Sequence, residues 1–121
     1  MAAGDLGKIY EDGDVIVRQG DVGDCLYVIQ EGQVEVLLEK DGKEVRLRVA
    51  GKDEIIGETA VFERVARSAT VRAIGKVRAL TVDKKNFLRR IQEDPTLAFR
   101  LVQIMSRRVR ELSDEVARLK K

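Results

Sequence analysis

The sequence predicts a mainly β domain followed by C-terminal helices. From Tyr10 to Asp83, glycines and Gly-Asp or Asp-Gly pairs repeatedly interrupt short apolar runs, a pattern typical of the strands and turns of a β-sandwich or barrel. After Asp83 the apolar residues recur at helical spacing, and neither glycine nor proline follows Pro95. We therefore expect a β domain that ends with a short helix over residues 1–94, and a long helix over residues 95–121.

The best specified β element is a hairpin around Asp41-Gly42, a two-residue sequence typical of a type I′ turn. With Lys40 opposite Lys43, the register places six apolar residues on one face, pairing Val34 with Val49, Val36 with Leu47, and Leu38 with Val45. The opposite face is mostly polar and pairs Glu35 with Arg48, Leu37 with Arg46, and Glu39 with Glu44. We expect the apolar face to line a core or a pocket.

Two helices are predicted after the β domain. The first covers residues 84–91 and has three apolar residues on one side, Phe87, Leu88 and Ile91. The second begins after Asp94, a typical N-cap residue, with Pro95 at the first helical position. Because no helix-breaking residue follows, we expect this second helix to continue to the end of the chain.

The long helix carries an apolar stripe with a heptad repeat. Its residues are separated by spacings of 3, 4, 3, 4 and 3, and are Val102, Met105, Val109, Leu112, Val116 and Leu119. Valine at every a position, with Met or Leu at d, favours a parallel two-stranded coiled coil, so we expect a homodimer. The alternative is that the stripe packs on the chain's own β domain.

The composition excludes several kinds of catalytic site. The 121 residues include no His and one Cys, so the chain cannot form a His-ligated metal centre, a His general base or a Ser-His nucleophile. A jelly-roll enzyme of the cupin type normally needs a His-rich metal site, and we therefore expect no enzymatic activity and no cofactor. Because neither a secretory signal nor an apolar membrane segment is recognisable, we expect a cytoplasmic protein.

The charge is nearly balanced, with 23 basic and 21 acidic residues. This balance argues against nucleic acid or a membrane surface as the main partner. The excess of basic residues lies in the long helix, where Arg107, Arg108 and Arg110 form a cluster. Nucleic-acid binding by this cluster is an alternative, although a solvated helix face explains it more simply.

The segment from Ile55 to Thr70 interrupts the strand pattern. Gly57 permits close approach of the backbone, and residues 58–62 can form one helical turn before a strand over residues 68–73. An arginine such as Arg67 can bind a phosphate through two hydrogen bonds, and a carboxylate such as Glu58 can accept sugar hydroxyls. From spacing alone, an ordinary ion pair between Glu58 and Arg67 is the more common arrangement.

The wider pattern resembles a cyclic nucleotide-binding domain. It is similar to the sensor domain of the catabolite activator protein family and to regulatory subunits of cyclic-AMP-dependent protein kinase. The resemblance extends from about Ile9 to Leu119 and rests on Gly20-Asp21, Leu26-Tyr27-Val28-Ile29, Gly32-Gln33-Val34, Gly57-Glu58-Thr59-Ala60 and Arg67-Ser68-Ala69. It implies an eight-stranded β-roll of jelly-roll type, followed by a short helix and a long dimerisation helix.

The resemblance also implies a role for each site residue. Arg67 and Ser68 would bind the cyclic phosphate, and Glu58 the ribose 2′-hydroxyl. The others would contribute backbone contacts (Gly57, Thr59, Ala60), apolar contacts (Val36, Leu47) and contacts to the base from the long helix (Arg108, Ser113). Leu112 departs from the threonine that reads adenine in the activators, and Ala66 replaces a common proline.

The implied function is a non-enzymatic regulatory module that couples ligand binding to repositioning of the C-terminal helices. We expect cAMP as the ligand and no DNA-binding domain in this chain, which ends at Lys121 as the long helix ends. Three alternatives remain open: the same fold binding cGMP, the same fold binding another small anionic effector, or a dimerisation module without a ligand.

Overall fold

A computed structural model describes residues 7–63 and 65–120; the side chain of Ala60 also lies outside this description. The elements are β1 Lys8–Tyr10, β2 Val15–Val17, β3 Cys25–Lys40, β4 Lys43–Ala50, β5 Ile55–Ile56, α1 Glu58–Glu63, β6 Thr70–Asp83, α2 Lys84–Glu93 and α3 Pro95–Leu119. The predicted fold class, mainly β with C-terminal helices, is confirmed. The chain divides between residues 84 and 85 into two compact units. The predicted domain boundary after residue 94 stays a prediction.

Two long antiparallel strands, β3 and β6, form the centre of the sheet. The strand order is β1-β6-β3-β4, with β2 also paired to β6 and β5 to β3. Both long strands continue through a glycine with positive φ, Gly32 at 89° and Gly75 at 67°. A Cβ atom at Gly32 would overlap the Lys76 carbonyl oxygen, so the close approach of β3 to β6 at this point requires glycine. The predicted count of eight strands is not confirmed, because the described residues form six.

The core lies between the long strands and the short strands paired to them. Ile29, Val34, Val77 and Ala79 are fully buried. The cluster is completed by Tyr10, Val17, Ala50, Ile56, Val71 and Ala73. Burial of a side chain of this size contributes about 1.5 to 3 kcal/mol, so this cluster fixes β3 against β6. Val36 packs at the edge of the cluster and is partly buried.

The hairpin has the predicted turn but not the predicted register throughout. Lys40 pairs with Lys43, and the next pairs are also as predicted up to Leu37 with Arg46. A β-bulge then leaves Leu47 without a partner residue in β3. Beyond it the observed pairs are Val36 with Arg48, Glu35 with Val49, and Val34 with Ala50. The predicted pairs of Val36 with Leu47, Glu35 with Arg48, and Val34 with Val49 are therefore wrong.

The burial of the hairpin side chains also differs from the prediction. The bulge shifts the register of the β4 residues that follow it, Arg48 to Ala50, whereas Val45 and Leu37 lie where the pairing is as predicted. Val45, Leu47 and Val49 are exposed at 53%, 56% and 40%, whereas Leu37, predicted on the polar face, is 3% exposed. The predicted apolar face of the hairpin therefore does not form as a unit, and β4 contributes only Ala50 to the core cluster.

An ion-pair cluster joins β4, β3 and β6. Glu35 accepts hydrogen bonds from Arg46 and from Arg72, with N–O distances of 2.9 Å in each pair. Arg72 also pairs with Glu44 at 3.2 Å. The guanidinium groups of Arg72 and Arg46 hold the pKa of the Glu35 carboxyl below its usual value. The cluster uses Arg46 where the sequence predicts Arg48.

The second unit, Lys85–Lys121, is the helical unit. Its long helix α3 begins as the sequence predicts. The side chain of Asp94 accepts a hydrogen bond from the Thr96 amide at 3.1 Å, and Pro95 occupies the first turn of α3. Five of the six residues of the heptad stripe are 49% to 79% exposed: Val102, Val109, Leu112, Val116 and Leu119. Among the described residues, no helix is long and apolar enough to cross a membrane.

Candidate functional site

A cavity of about 110 Å³ opens in the first unit, beside the segment that follows β5. A single water needs roughly 10 to 15 Å³, so this space is several times larger than a packing defect. Eleven residues line it: Val17, Val36, Arg48, Ile56, Gly57, Glu58, Thr59, Arg67, Ser68, Ala69 and Val71. Its walls combine apolar strand residues with two arginines and a carboxylate.

The chain turns sharply where β5 enters α1. Ile55 and Ile56 are buried, and Ile56 pairs with Tyr27 of β3. Gly57 has a φ of 78°, which allows α1 to begin immediately at Glu58. Buried Val61 anchors the helix from its inner side. The predicted helical turn after Gly57 is confirmed, and it places Glu58 and Thr59 at the cavity.

Arg67 is held firmly although it precedes the next strand. Its backbone amide donates to the Asp21 carbonyl at 2.8 Å, and its own carbonyl accepts from the Gly20 amide at 2.8 Å. Its guanidinium donates through Nη1 to the Gly57 carbonyl at 2.6 Å and through Nη2 to the Cys25 carbonyl at 2.8 Å. The residue is 8% exposed. Three separate segments therefore fix one arginine at the cavity wall.

The guanidinium of Arg67 is buried among neutral acceptors. Its hydrogen-bond acceptors are two carbonyl oxygens and, at 3.7 Å, the Sγ atom of Cys25, and within the described residues no ion pair joins it to Glu58. The expectation of an ordinary Glu58 to Arg67 ion pair, drawn from spacing alone, is therefore wrong. A buried charge without a counter-charge is costly in free energy. An anion that enters the cavity would supply the missing charge.

Two glycines leave the space that this guanidinium occupies. A Cβ atom at Gly57 would lie 2.7 Å from Nη1 of Arg67, and one at Gly23 would lie 2.8 Å from its Cζ. Gly23 and Cys25 are residues of the site that we did not predict from the sequence. The available signal was the Gly23-Asp24 pair, which we assigned to a turn alone, next to the Gly20-Asp21 pair on which the family resemblance rests.

The structure brings most of the predicted site residues together. The lining of the cavity includes Gly57, Glu58, Thr59, Arg67, Ser68 and Val36. Ser68 is exposed and precedes β6, which begins at Thr70 and not at the predicted residue 68. Ala60 lies within α1, and its side chain is outside the described part of the chain.

Three predicted site residues are not among those that line the cavity. Leu47 lies at the bulge, is exposed, and does not line the cavity, where Arg48 occurs instead. Arg108 and Ser113 lie on α3 in the helical unit, and Arg108 pairs with Glu111 at 3.4 Å. Arg48 was missed because the regular alternation of β4 gives no indication of a bulge.

The model of the cyclic nucleotide-binding domain family matches residues 8–94. The chain belongs to this family. It is 42% identical over 81 residues, 66% of the chain, to the cAMP-dependent protein kinase regulatory subunit of Blastocladiella emersonii, and 34% identical over 112 residues, 91% of the chain, to the cAMP-activated global transcriptional regulator of Salmonella typhimurium. The resemblance inferred from the sequence is thereby confirmed.

A solved structure shows the same relationship. The crystal structure of the catabolite activator protein of Thermus thermophilus superposes with a TM-score of 0.78 and 30% sequence identity, covering 93% of this chain and 54% of that one. The chain spans 20% of the kinase regulatory subunit and 53% of the Salmonella regulator. It therefore corresponds to one part of these longer proteins.

Substitution of Gly23 tests whether the position of Arg67 matters for binding. In Gly23→Ala the new methyl group must displace the guanidinium, and we expect the affinity for cAMP and cGMP to fall roughly tenfold to a hundredfold in titration calorimetry. The matched control is Gly51→Ala, because the nearest atom to a Cβ there is 3.8 Å away. Equal affinities for both variants would show that Arg67 does not need this position.

Proposed function

We propose that this chain is a non-catalytic sensor module that binds a 3′,5′-cyclic purine nucleotide in the cavity beside Arg67. One observation carries the proposal: a buried, rigidly held guanidinium faces the cavity without a carboxylate partner among the described residues. A cyclic phosphodiester has one negative charge and two exocyclic oxygens, which match the paired N–H groups of an arginine. The Ser68 hydroxyl lines the same cavity and can donate to one of these oxygens.

The remaining lining residues suit the sugar and the faces of the base. Glu58 is partly buried next to Gly57, and its carboxylate can accept a hydrogen bond from the ribose 2′-hydroxyl. Val36, Ile56 and Val71 supply apolar contact area. Because cAMP and cGMP share the phosphate and the ribose, Arg67 and Glu58 bind both. The family resemblance favours cAMP, and contacts to the base must decide the preference.

A connected set of backbone contacts links the site to the start of the helices. The Cys25 carbonyl binds Arg67, and Cys25 pairs with Asp83, the last residue of β6. The Lys84 amide, at the start of α2, donates to the Asp24 carbonyl at 3.2 Å. We propose that the phosphate competes with the Cys25 carbonyl for Arg67 and so alters this junction. A coupling of about 1 to 3 kcal/mol between ligand and helices would be typical.

The exposed heptad stripe of α3 supports a homodimer as the output of this coupling. A row of valines and leucines along 25 helical residues favours association with a second copy through the same row. Three heptads are marginal as an isolated coiled coil. The stability of the dimer would therefore respond to changes at the start of the helices.

Removal of the Arg67 guanidinium tests the ligand assignment. In Arg67→Ala the bound phosphate loses its charged partner, and we expect titration calorimetry to show affinity for both cyclic nucleotides weakened by about 2 to 5 kcal/mol. Arg67→Lys keeps the charge but loses the paired donors, so its affinity should be intermediate. Arg46→Ala is the control, since Arg46 pairs with Glu35 and does not line the cavity. Unchanged affinity in both Arg67 variants would refute the phosphate assignment.

Charged residues in the heptad stripe test the dimer. Val109→Glu combined with Leu112→Glu places like charges in the proposed seam, and we expect light scattering to give the mass of a single chain. The control combines Gln103→Glu with Arg110→Glu, two positions that the heptad places away from the seam. A stripe variant that keeps the mass of a dimer would contradict the proposal.

A further inference from the structure

Strand β3 extends beyond the point at which its pairing with β6 ends. The last pair joins Leu37 to Thr70, the first residue of β6. If this register continued, Glu39 would lie opposite Ser68, and the two backbones would form the next pair of the ladder. No such pair occurs among the described residues, and Ser68 lines the cavity instead. The amide and carbonyl of Glu39 on this side of β3 therefore need another partner.

The side chain of Gln19 supplies this partner. Its Oε1 accepts from the Glu39 amide at 2.7 Å, and its Nε2 donates to the Glu39 carbonyl at 3.1 Å. A side-chain amide has the same donor and acceptor groups as a peptide group, so the two bonds reproduce the pair that a strand residue would form. The backbone of Ser68 is therefore not needed at this position of the sheet, and the residue can lie at the cavity.

Gln19 also belongs to the segment that holds the backbone of Arg67. Its own amide donates to Thr70 Oγ1 at 3.0 Å, and Thr70 is 2% exposed. The next two residues both bond to the Arg67 backbone, one through its amide and the other through its carbonyl. The segment is thus bonded to Arg67 and to the start of β6, and the Gln19 side chain fixes it to β3.

Resting on the proposed cyclic nucleotide function, we propose that Gln19 is a positioning residue for phosphate binding, whose side-chain amide keeps Arg67 and Ser68 at the cavity. Gln19 does not line the cavity, so it acts through these two residues and not by contact with the ligand. Loss of the amide removes the bond between β3 and the segment that holds the Arg67 backbone. The guanidinium then also occupies positions that bind the phosphate less well.

Replacement by alanine tests the positioning with and without ligand. In Gln19→Ala we expect the Nε–H signal of Arg67 to shift in ¹⁵N magnetic resonance of the nucleotide-free protein. We expect titration calorimetry to show affinities for cAMP and cGMP that are both roughly threefold to tenfold lower, the effect of one or two neutral hydrogen bonds. The matched control is Gln33→Ala, an exposed glutamine of β3 outside the cavity lining. An Arg67 signal and affinities equal to those of the unmodified chain would overturn the inference.

Replacement by glutamate separates positioning from a general loss of stability. In Gln19→Glu the carboxylate cannot donate to the Glu39 carbonyl, whereas the protonated acid can. Because this bond favours the neutral form, it raises the pKa of the new carboxyl group. We expect affinity relative to the unmodified chain to be roughly tenfold lower at pH 8 and to recover at least threefold at pH 5. Gln33→Glu adds the same charge and should show no recovery. A relative affinity of Gln19→Glu that is the same at both pH values would contradict the inference.

The loss of Arg67 distinguishes this inference from the proposed function. If Arg67→Ala loses binding while both Gln19 variants bind as tightly as the unmodified chain, only the positioning by Gln19 is refuted. If the unmodified chain binds neither cyclic nucleotide, the proposed function itself fails. In that case the Arg67 signal of the nucleotide-free Gln19→Ala protein still decides whether Gln19 positions the arginine.

Discussion

The candidate site depends on the burial of one guanidinium among backbone carbonyls. Arg67 reaches the carbonyl groups of Gly57 and Cys25, while its own backbone bonds to the turn at residues 20–21. Several features of the chain serve this arrangement, including the glycines that leave room for the side chain and the positive φ at which β5 turns into α1. Because carbonyls orient the guanidinium without neutralising it, its charge stays available to an anion.

In the proposed mechanism, the same interaction connects the ligand to the rest of the chain. Cys25 begins β3 and pairs with the final residue of β6, so the carbonyl that binds Arg67 belongs to the junction from which α2 continues. We propose that a phosphate that takes over one donor of Arg67 changes the bonding of this junction directly. Arg48 of β4 lines the same cavity and is paired to β3 on the side opposite β6.

The features that could be predicted from the sequence have local signals. Asp41-Gly42 determines its turn, Asp94 with Pro95 begins the long helix, and Gly57 with Glu58 begins α1. The features that could not be predicted depend on pairing between distant segments. Cys25 and Arg67 are 42 residues apart, and the bulge interrupts a strand of regular alternation. Glu35 pairs with Arg46 and Glu54 with Arg48, which no pattern within β4 reveals.

Nuclear magnetic resonance of the arginine side chains tests the central claim most directly. In a ¹⁵N-labelled sample the Nε–H signal of Arg67 can be assigned by its loss in Arg67→Lys. We predict that this signal moves on addition of either cAMP or cGMP, and that the Nη protons exchange more slowly with water once the phosphate replaces a carbonyl as their acceptor. A signal of Arg67 that stays unchanged when the nucleotide is bound would contradict the account.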